Sequence, residues 1–503
     1  MGAPPGRITT ERRNTMTQLR TSVILVALLA CSSIAARADV VLEWNAIAVS
    51  TVVSQGQSPF AQARFLAITQ LAVFEAVNAI EGTYQPYLGS VAAPAGASAD
   101  AAAIAAAYHV LKTYFPLAPN LDGAYTASLA VIPNGSAKSG GIATGQVAAA
   151  QMIALRLGDG SSPPQFYLPA SINPGVWQLT PGCPAAGGVG FQWQNISPFG
   201  VPSVPGSHEW IAQFDPGPPP ALTSKRYARD YNEVKRVGNV SSDLSERPQD
   251  RADVARFYAV SSPSFVFNLA ARQVAAAEGS SLSKNARVLA LLNMATNDSL
   301  VASFWTKYHY NLWRPETAIF EGNLDGNAKT DADLTFVPYI LTPCFPTYPS
   351  NHASGSDGAA EILRRVFGAG GHAITMANPA VPGLTFHYTS STRSRTTSAT
   401  RASTEASIFA SIRMPAPLWG ARSRLMFITT TSAARSIPTT MMRTRRLSTV
   451  SRTCTDDDTA TLEHQGTRYL RPPRSVRVLE EPPQLVGVAH DVNRANAAAG
   501  DVE

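Results

Sequence analysis

Helical periodicity constrains the fold of this chain more than any other feature. In "PFAQARFLAITQLAVFEAVNAI", which begins at Pro59, large apolar residues recur close to helical spacing. The next such segment, "SADAAAIAAAYHVLKTYF", begins at a good N-cap residue, Ser98, and is rich in alanine, the best helix former. Helical patterns return at 122–157, in "KRYARDYNEVKRVG", and at 251–310. Strand-like alternation is rare and no short-period repeat occurs, so we predict an all-α helical bundle.

Residues 158–220 interrupt the helical patterns. The stretches "GDGSSPP", "TPGCPAAGG", "VPSVPG" and "DPGPPP" are turn and loop signals. Irregular segments of this length within compact domains tend to be functional or mobile. We therefore predict a long loop region between two helical parts of the chain.

The N-terminus is typical of an export signal. Arg12, Arg13 and Arg20 precede the apolar run "SVILVALLA", and "AARAD" offers a small-residue cleavage site after Ala38. The run is too short to favour a permanent membrane span. We expect 1–38 to be a signal peptide and the mature protein to be secreted or periplasmic, with lipid anchoring at Cys31 as the alternative. In an oxidising compartment Cys183 and Cys344 could pair, although their spacing does not decide it.

The excess positive charge lies entirely in the C-terminal tail. Residues 391–503 hold 16 Arg, no Lys and 10 acidic residues, an excess equal to the net charge of +6 of the whole chain. Residues 1–390 are therefore neutral overall. Charge therefore gives no footprint for nucleic acid outside the tail.

Two short segments have the residue types of an anion site. The first, "FWTKYHYNLWRPETAIF", starts at Phe304 and contains Lys307 and Arg314. Seven residues apart, they are expected two turns apart on one side of a helix that Pro315 bends or ends. Arginine presents a fork suited to oxyanion oxygens. The alternative interpretation is a solvated basic face, and we expect His309 to pack among the aromatic residues rather than line a pocket.

The second segment, "FPTYPSNHASGSDGAAEILRRVFG", predicts the start of a helix. Pro349 ends any preceding helix, Ser350 and Asn351 are good N-cap residues, and an apolar helical face follows. Backbone N–H groups and the positive end of the helix dipole favour an anion there. His352 could exchange protons near neutral pH. For His352 taken alone, a structural histidine in a turn is the plainer interpretation.

Together the two segments resemble the signature of the vanadium-dependent haloperoxidases and the related type 2 phosphatidic acid phosphatases. That signature has Lys, six residues, Arg-Pro, and later Pro-Ser-Gly-His; here stand Lys307, Arg314-Pro315 and Pro349 to His352. Asn351 replaces the usual Gly but retains its backbone N–H. "ADVVLEWNAIAV", after the signal, is also similar to the start of bacterial haloperoxidase-like proteins. The resemblance implies a helical haloperoxidase-like domain at 39–390 with the anion held between helices.

The resemblance also implies roles for these residues. Vanadate would be bound by Lys307, Arg314, Ser350 and the Asn351 N–H, while His352 would act as acid or base and Lys307 would polarise peroxide during halide oxidation. An acid phosphatase could use the same pocket on phosphomonoesters or lipid phosphates, because vanadate and phosphate share charge and shape. The long helical region before Lys307 favours the haloperoxidase. A degenerate, non-catalytic anion-binding protein is the third hypothesis.

A third motif of that family is missing from the chain as it stands. The family motif is Ser-Arg, five residues, His, three residues, Asp; its Arg clamps the oxyanion, and its His binds vanadium or attacks phosphorus. No such string follows His352. The composition changes near Ser390, because 26 of the 70 residues at 391–460 are Ser or Thr. A disordered Ser/Thr/Arg-rich tail is one explanation.

A shift of reading frame explains more. When residues 400–412 are back-translated and each codon is read from the last base of the preceding codon, "SRIYGGIHFRFD" is permitted. That string fits the missing motif in type and spacing. We therefore predict that 391–503 is out of frame. We expect the chain as it stands to be inactive or nearly so, because losing one positioned catalytic group costs orders of magnitude.

Overall fold

The computed structural model describes residues 39–204, 207–368 and 370–389. Within these ranges the chain forms twelve α-helices, two short 3-10 helices and one two-stranded sheet. The predicted all-α class is therefore confirmed. The predicted signal peptide at 1–38, the alternative lipid site at Cys31, and the predicted out-of-frame tail at 391–503 lie outside the described residues and stay predictions.

The first five helices include one at Val40–Ser54, and the other four occupy segments whose periodicity predicted helices. Ser98 caps the helix Ala99–Tyr114 as predicted, since its Oγ accepts the Ala101 N–H at 3.2 Å. Asp39 caps the first helix in the same way, through its Oδ1 and the Val41 N–H at 2.8 Å. The five helices are α1 (Val40–Ser54), α2 (Pro59–Glu81), α3 (Ala99–Tyr114), α4 (Leu121–Ala130) and α5 (Ser136–Leu155).

The predicted loop region follows α5, and a second set of helices follows the loop. The loop contains a 3-10 helix, Phe191–Asn195, and the single turn α6, Glu209–Ala212. A second 3-10 helix spans Gly322–Leu324. The later helices are α7 (Lys225–Val237), α8 (Gln249–Ala259), α9 (Pro263–Ala277), α10 (Leu282–Tyr310), α11 (Pro315–Phe320) and α12 (Asn351–Phe367).

The core forms around α2, which packs against α3, α5 and the long α10. Of the described helices, α2 is the one long and apolar enough to cross a membrane, yet 83% of that stretch is buried inside the fold. Such burial suits a core helix. Glycines let α5 approach α3 closely, because a Cβ at Gly141 or Gly145 would lie 2.3 or 2.4 Å from a carbonyl oxygen of α3 or its cap.

A small antiparallel sheet follows α12. Strand β1, Ile374–Ala377, pairs with β2, Thr385–Tyr388, in a register that sets Ile374 opposite Tyr388. Ile374 and Met376 alternate inward and join the main core beside α9. Strands of four residues give too little alternation to be recognised in a sequence.

The contact between α10 and α12 positions the two segments singled out in the sequence. A Cβ at Gly358 of α12 would lie 2.7 Å from the Ser299 Oγ and 3.0 Å from the Ala295 carbonyl oxygen of α10. Only a residue without a Cβ allows this approach. The N-terminus of α12 is therefore brought beside the C-terminal half of α10.

Candidate functional site: two buried cations at a helix N-terminus

Lys307 and Arg314 do not share one helix, contrary to the sequence prediction. Helix α10 ends at Tyr310, where Asn311 adopts the left-handed conformation with φ of 48° and donates its N–H to the Lys307 carbonyl. Arg314 is instead the extended N-cap residue of α11, and Pro315 begins that helix. The prediction failed because a residue before proline disfavours the helical region and proline suits a first helical position.

Lys307 is nevertheless deeply buried, with 1% of its surface exposed. Its Nζ donates hydrogen bonds to the carbonyl oxygens of Pro346 and Thr347, at 3.0 and 2.7 Å. An ammonium group has three N–H donors, and the described residues supply these two acceptors, which leaves one N–H for a ligand. Burial lowers the pKa of Lys307 well below its usual value, and the neighbouring charge of Arg314 lowers this pKa further.

Arg314 reaches the same loop from the other side. It is also 1% exposed, and its Nε donates to the Phe345 carbonyl oxygen at 2.6 Å. The Phe345 ring lies against both cations, 5.4 Å from the Lys307 Nζ and 4.7 Å from the Arg314 Cζ. Each cation gains a favourable contact with the ring, but the ring carries no negative charge. Two buried positive charges therefore converge on one short segment.

That segment, residues 344–349, is fixed at several points and is named here the site loop. The Thr347 N–H donates to the Leu312 carbonyl at 2.9 Å, and the Thr347 Oγ1 donates to the Trp313 carbonyl at 2.7 Å. Cys344, the first residue of the site loop, forms a disulfide with Cys183. The pairing that spacing left open is thus present, and it ties the loop region to the site.

The site loop leads into the N-terminus of α12. Ser350 is the N-cap residue, as predicted, and its Oγ accepts the Ala353 N–H at 3.3 Å. Asn351 and His352 form the first turn and are half-buried. The Asn351 Oδ1 accepts a hydrogen bond from the Ser303 Oγ of α10 at 3.0 Å. The early N–H groups of this turn and the helix dipole favour an anion.

These groups suit a tetrahedral oxyanion such as vanadate or phosphate. The spare N–H of Lys307, the guanidinium of Arg314, the Ser350 hydroxyl and the first-turn N–H groups are hydrogen-bond donors. An anion beside Lys307 would also relieve the repulsion between the two buried cations. His352, in the same turn, is a proton donor or acceptor for a ligand held there. The donor set fits the oxyanion that the sequence resemblance implies.

Sequence reasoning missed three contributors to this region. Phe345, Ser303 and the carbonyl groups of the site loop contact the predicted residues directly. Ser303 precedes Lys307 by four residues, so helical spacing could have indicated that both face one way. His309 is exposed and stacks on Trp305 with a ring distance of 4.6 Å, as expected for packing rather than for a pocket.

An open polar cavity lies elsewhere, along α7. Its charged residues have mixed signs, and two of its cations are held by backbone carbonyls: the Lys235 Nζ by Asp331 and the Arg236 Nη1 by Glu246. None of the predicted site residues lines this cavity. The buried cations near α12 are the better candidate site.

Comparison with known proteins agrees with this placement. Residues 287–409 match the family model described as the VCPO second helical-bundle domain, a range that contains Lys307, Arg314 and the start of α12. A solved structure of a bacterial vanadium-dependent iodoperoxidase superposes with a TM-score of 0.64 at 22% identity, over 78% of this chain and 95% of the other. Residues 287–409 thus match the model of that helical-bundle domain, and the likeness to the iodoperoxidase structure shows that the chain shares its fold.

Two further structures share the haloperoxidase fold. The apo form of a bacterial vanadium-dependent chloroperoxidase has a TM-score of 0.59 at 17% identity, over 75% of this chain and 95% of the other. The holo form of a bacterial vanadium-dependent chloroperoxidase has a TM-score of 0.56 at 17% identity, over 75% of this chain and 94% of the other. No curated protein matches the sequence. At such identities the likeness establishes the fold of the chain.

Proposed function

We propose that the protein, with its reading frame restored after residue 390, is a vanadate-dependent haloperoxidase-like oxidoreductase. It would use hydrogen peroxide to oxidise halide. One observation carries the proposal: two buried cations from different helices converge on the loop that leads into the N-terminus of α12. The similar structures, described as an iodoperoxidase and chloroperoxidases, support it. Vanadate, when bound, would supply the activation of peroxide toward the halide.

The residues of this chain would hold the oxyanion and move protons around it. Lys307 donates its remaining N–H and stays protonated while an anion is bound, because the negative charge offsets the cost of burial. Arg314 neutralises charge from the opposite side. Ser350 and the Asn351 N–H bind oxygens at the helix N-terminus. His352 exchanges a proton through an imidazole nitrogen, as acid or base.

The chain as it stands would bind the anion with an incomplete set of ligands. The clamping Arg and the apical His of the third motif are missing from its sequence after His352. We therefore propose that it has little or no turnover, and that restoring the reading frame supplies the missing groups. Loss of a positioned group of this kind commonly costs orders of magnitude in rate.

The decisive experiment compares the existing chain with a version whose frame is restored by a one-base correction before codon 400. Both are assayed for bromide oxidation with vanadate and peroxide, and for hydrolysis of p-nitrophenyl phosphate. Lys307→Met removes one buried cation, and Lys225→Met, at an exposed position of α7, is the matched control.

Each hypothesis has its own outcome. Bromide oxidation by the corrected chain, lost in Lys307→Met and kept in Lys225→Met, supports the haloperoxidase. Phosphate ester hydrolysis without halide oxidation would establish the acid phosphatase instead. Failure of the corrected chain to bind vanadate would leave the non-catalytic hypothesis.

A further inference from the structure

A side-chain hydrogen bond joins the two helices of the candidate site. Ser303, on α10, is fully buried, and its Oγ donates to the Asn351 Oδ1 in the first turn of α12 at 3.0 Å. Ser303 lies four residues before Lys307, so the two residues share one face of α10 a single turn apart. The bond therefore connects the helix N-terminus to the face of α10 that carries the buried ammonium group.

We propose that Asn351 and Ser303 form a positioning pair, which sets the N-terminus of α12 relative to Lys307 for oxyanion binding. This inference rests on the proposed function and deepens it, because it concerns the same site. Glycine, which occupies this position in the signature that the chain resembles, has no side chain with which to make the bond. The pair is thus a feature of this chain.

A hydrogen bond between Ser303 and Asn351 forms in either orientation of the Asn351 side-chain amide. The Ser303 Oγ also lies 3.0 Å from the Leu300 carbonyl oxygen, and a hydroxyl carries a single hydrogen. If that hydrogen goes to Asn351, Leu300 retains the hydrogen bond of its own helix. If it goes to Leu300, the amide turns over and the Asn351 Nδ2 donates to the Ser303 Oγ. Either arrangement keeps one hydrogen bond between the two helices.

The pair is the middle one of three contacts along a single stripe of α10. Ser299 lies against Gly358 of α12, Ser303 bonds to Asn351, and Lys307 bonds to the site loop. These positions follow at intervals of four residues, so each is one helical turn from the next. Without the middle contact, the first turn of α12 loses this side-chain hydrogen bond to α10.

The test uses the full chain and two measurements. Calorimetric titration with inorganic phosphate and with orthovanadate reports oxyanion affinity. Hydrogen exchange of the 353 and 354 amides, which bond to the Ser350 Oγ and the Ser350 carbonyl oxygen, reports in the ligand-free protein how firmly the first turn is held. The variants are Asn351→Ala, Asn351→Gly, Ser303→Ala and their double combinations. Ser139→Ala is the control, because the exposed Ser139 Oγ also donates to a carbonyl oxygen of its own helix, α5, which carries none of the candidate site residues.

We expect each single variant to bind phosphate about fivefold more weakly, because one partly buried hydrogen bond is lost. The double variants should be no weaker than the single ones, since both changes remove the same bond. Amide exchange in the first turn should accelerate in all of them and stay unchanged in Ser139→Ala.

Asn351→Asp distinguishes positioning from general stability. Its carboxylate still accepts the Ser303 hydrogen bond, so first-turn exchange should remain slow, while its negative charge should weaken phosphate binding more than Asn351→Gly does. If the losses of phosphate affinity add up in the double variants, Asn351 and Ser303 do not act as a pair. Unchanged phosphate affinity and unchanged amide exchange in the single variants would also overturn the proposal. If the wild-type chain binds neither phosphate nor orthovanadate, oxyanion binding by this chain is refuted. The exchange measurements alone would then show whether Asn351 and Ser303 hold the first turn of α12 to α10.

Discussion

The buried amine of Lys307 gives a prediction in which the sign of a stability change reverses with pH. Its pKa is lowered by burial and by the charge of Arg314. The unfolded chain therefore holds this proton at pH values where the folded chain has released it. Stability rises with pH wherever the unfolded state binds more protons. The contribution of Lys307 to the free energy of unfolding thus increases as the pH rises above the pKa of the folded state. It levels off near the pKa of the unfolded state, about 10.4.

The magnitude follows from two competing contributions. At about pH 10.5 the folded amine is neutral and Lys307→Met loses only two hydrogen bonds, to Pro346 and Thr347, at a cost of about 2 kcal/mol. Below that pH the wild-type protein loses about 1.4 kcal/mol for each pH unit, down to the folded pKa. The stability advantage of the wild-type protein should therefore shrink as the pH falls from about 10.5, and it should reverse in sign once the accumulated loss exceeds about 2 kcal/mol.

Urea denaturation of both proteins at intervals from pH 7 to 10, followed by tryptophan fluorescence, measures this difference. Groups other than Lys307 titrate in both proteins, so their contributions cancel in the comparison. Added phosphate should raise the stability of the wild-type protein at pH 7 more than that of Lys307→Met, because the anion favours the charged amine. A constant difference between the two proteins across this pH range would show that the buried amine is not penalised, and would refute the reasoning.

Three further perturbations test how the site is held. Replacing both Cys183 and Cys344 by alanine should lower the free energy of unfolding by up to about 5 kcal/mol, since the bridge spans 161 residues. The same change should weaken phosphate binding. Equal urea midpoints for the two proteins would contradict the expected loss of stability. Ser350→Ala should cost about 1 kcal/mol through loss of the N-cap bond, measurable by thermal unfolding against Ser139→Ala. Gly358→Ala should lower the free energy of unfolding by about 1 to 3 kcal/mol, because the added Cβ pushes α12 away from α10. Unchanged stability would show that the two helices can move apart at this contact without cost.

Helix positions were predictable because they depend on short stretches of sequence. Ser98 and Ser350 are N-cap residues in the structure as in the prediction, and the loop signals after α5 correspond to a region without a long element. The prediction for Arg314 failed, although its order in the signature was right. Seven residues indicate one helix face only if the helix continues, and Asn311 ends it first.

The motif order in the sequence determined which residues to examine, since Lys307, Arg314, Ser350, Asn351 and His352 were all named from it. Tertiary structure alone decided that two cations from different helices are buried against one loop, that Cys183 reaches Cys344, and that Asn351 bonds to Ser303. The physical reason is the distance along the chain over which each interaction acts. Helix propensity and capping act over a few neighbouring residues, whereas burial, charge repulsion and cross-helix hydrogen bonds depend on the packing of α10 against α12, some forty residues apart in the chain.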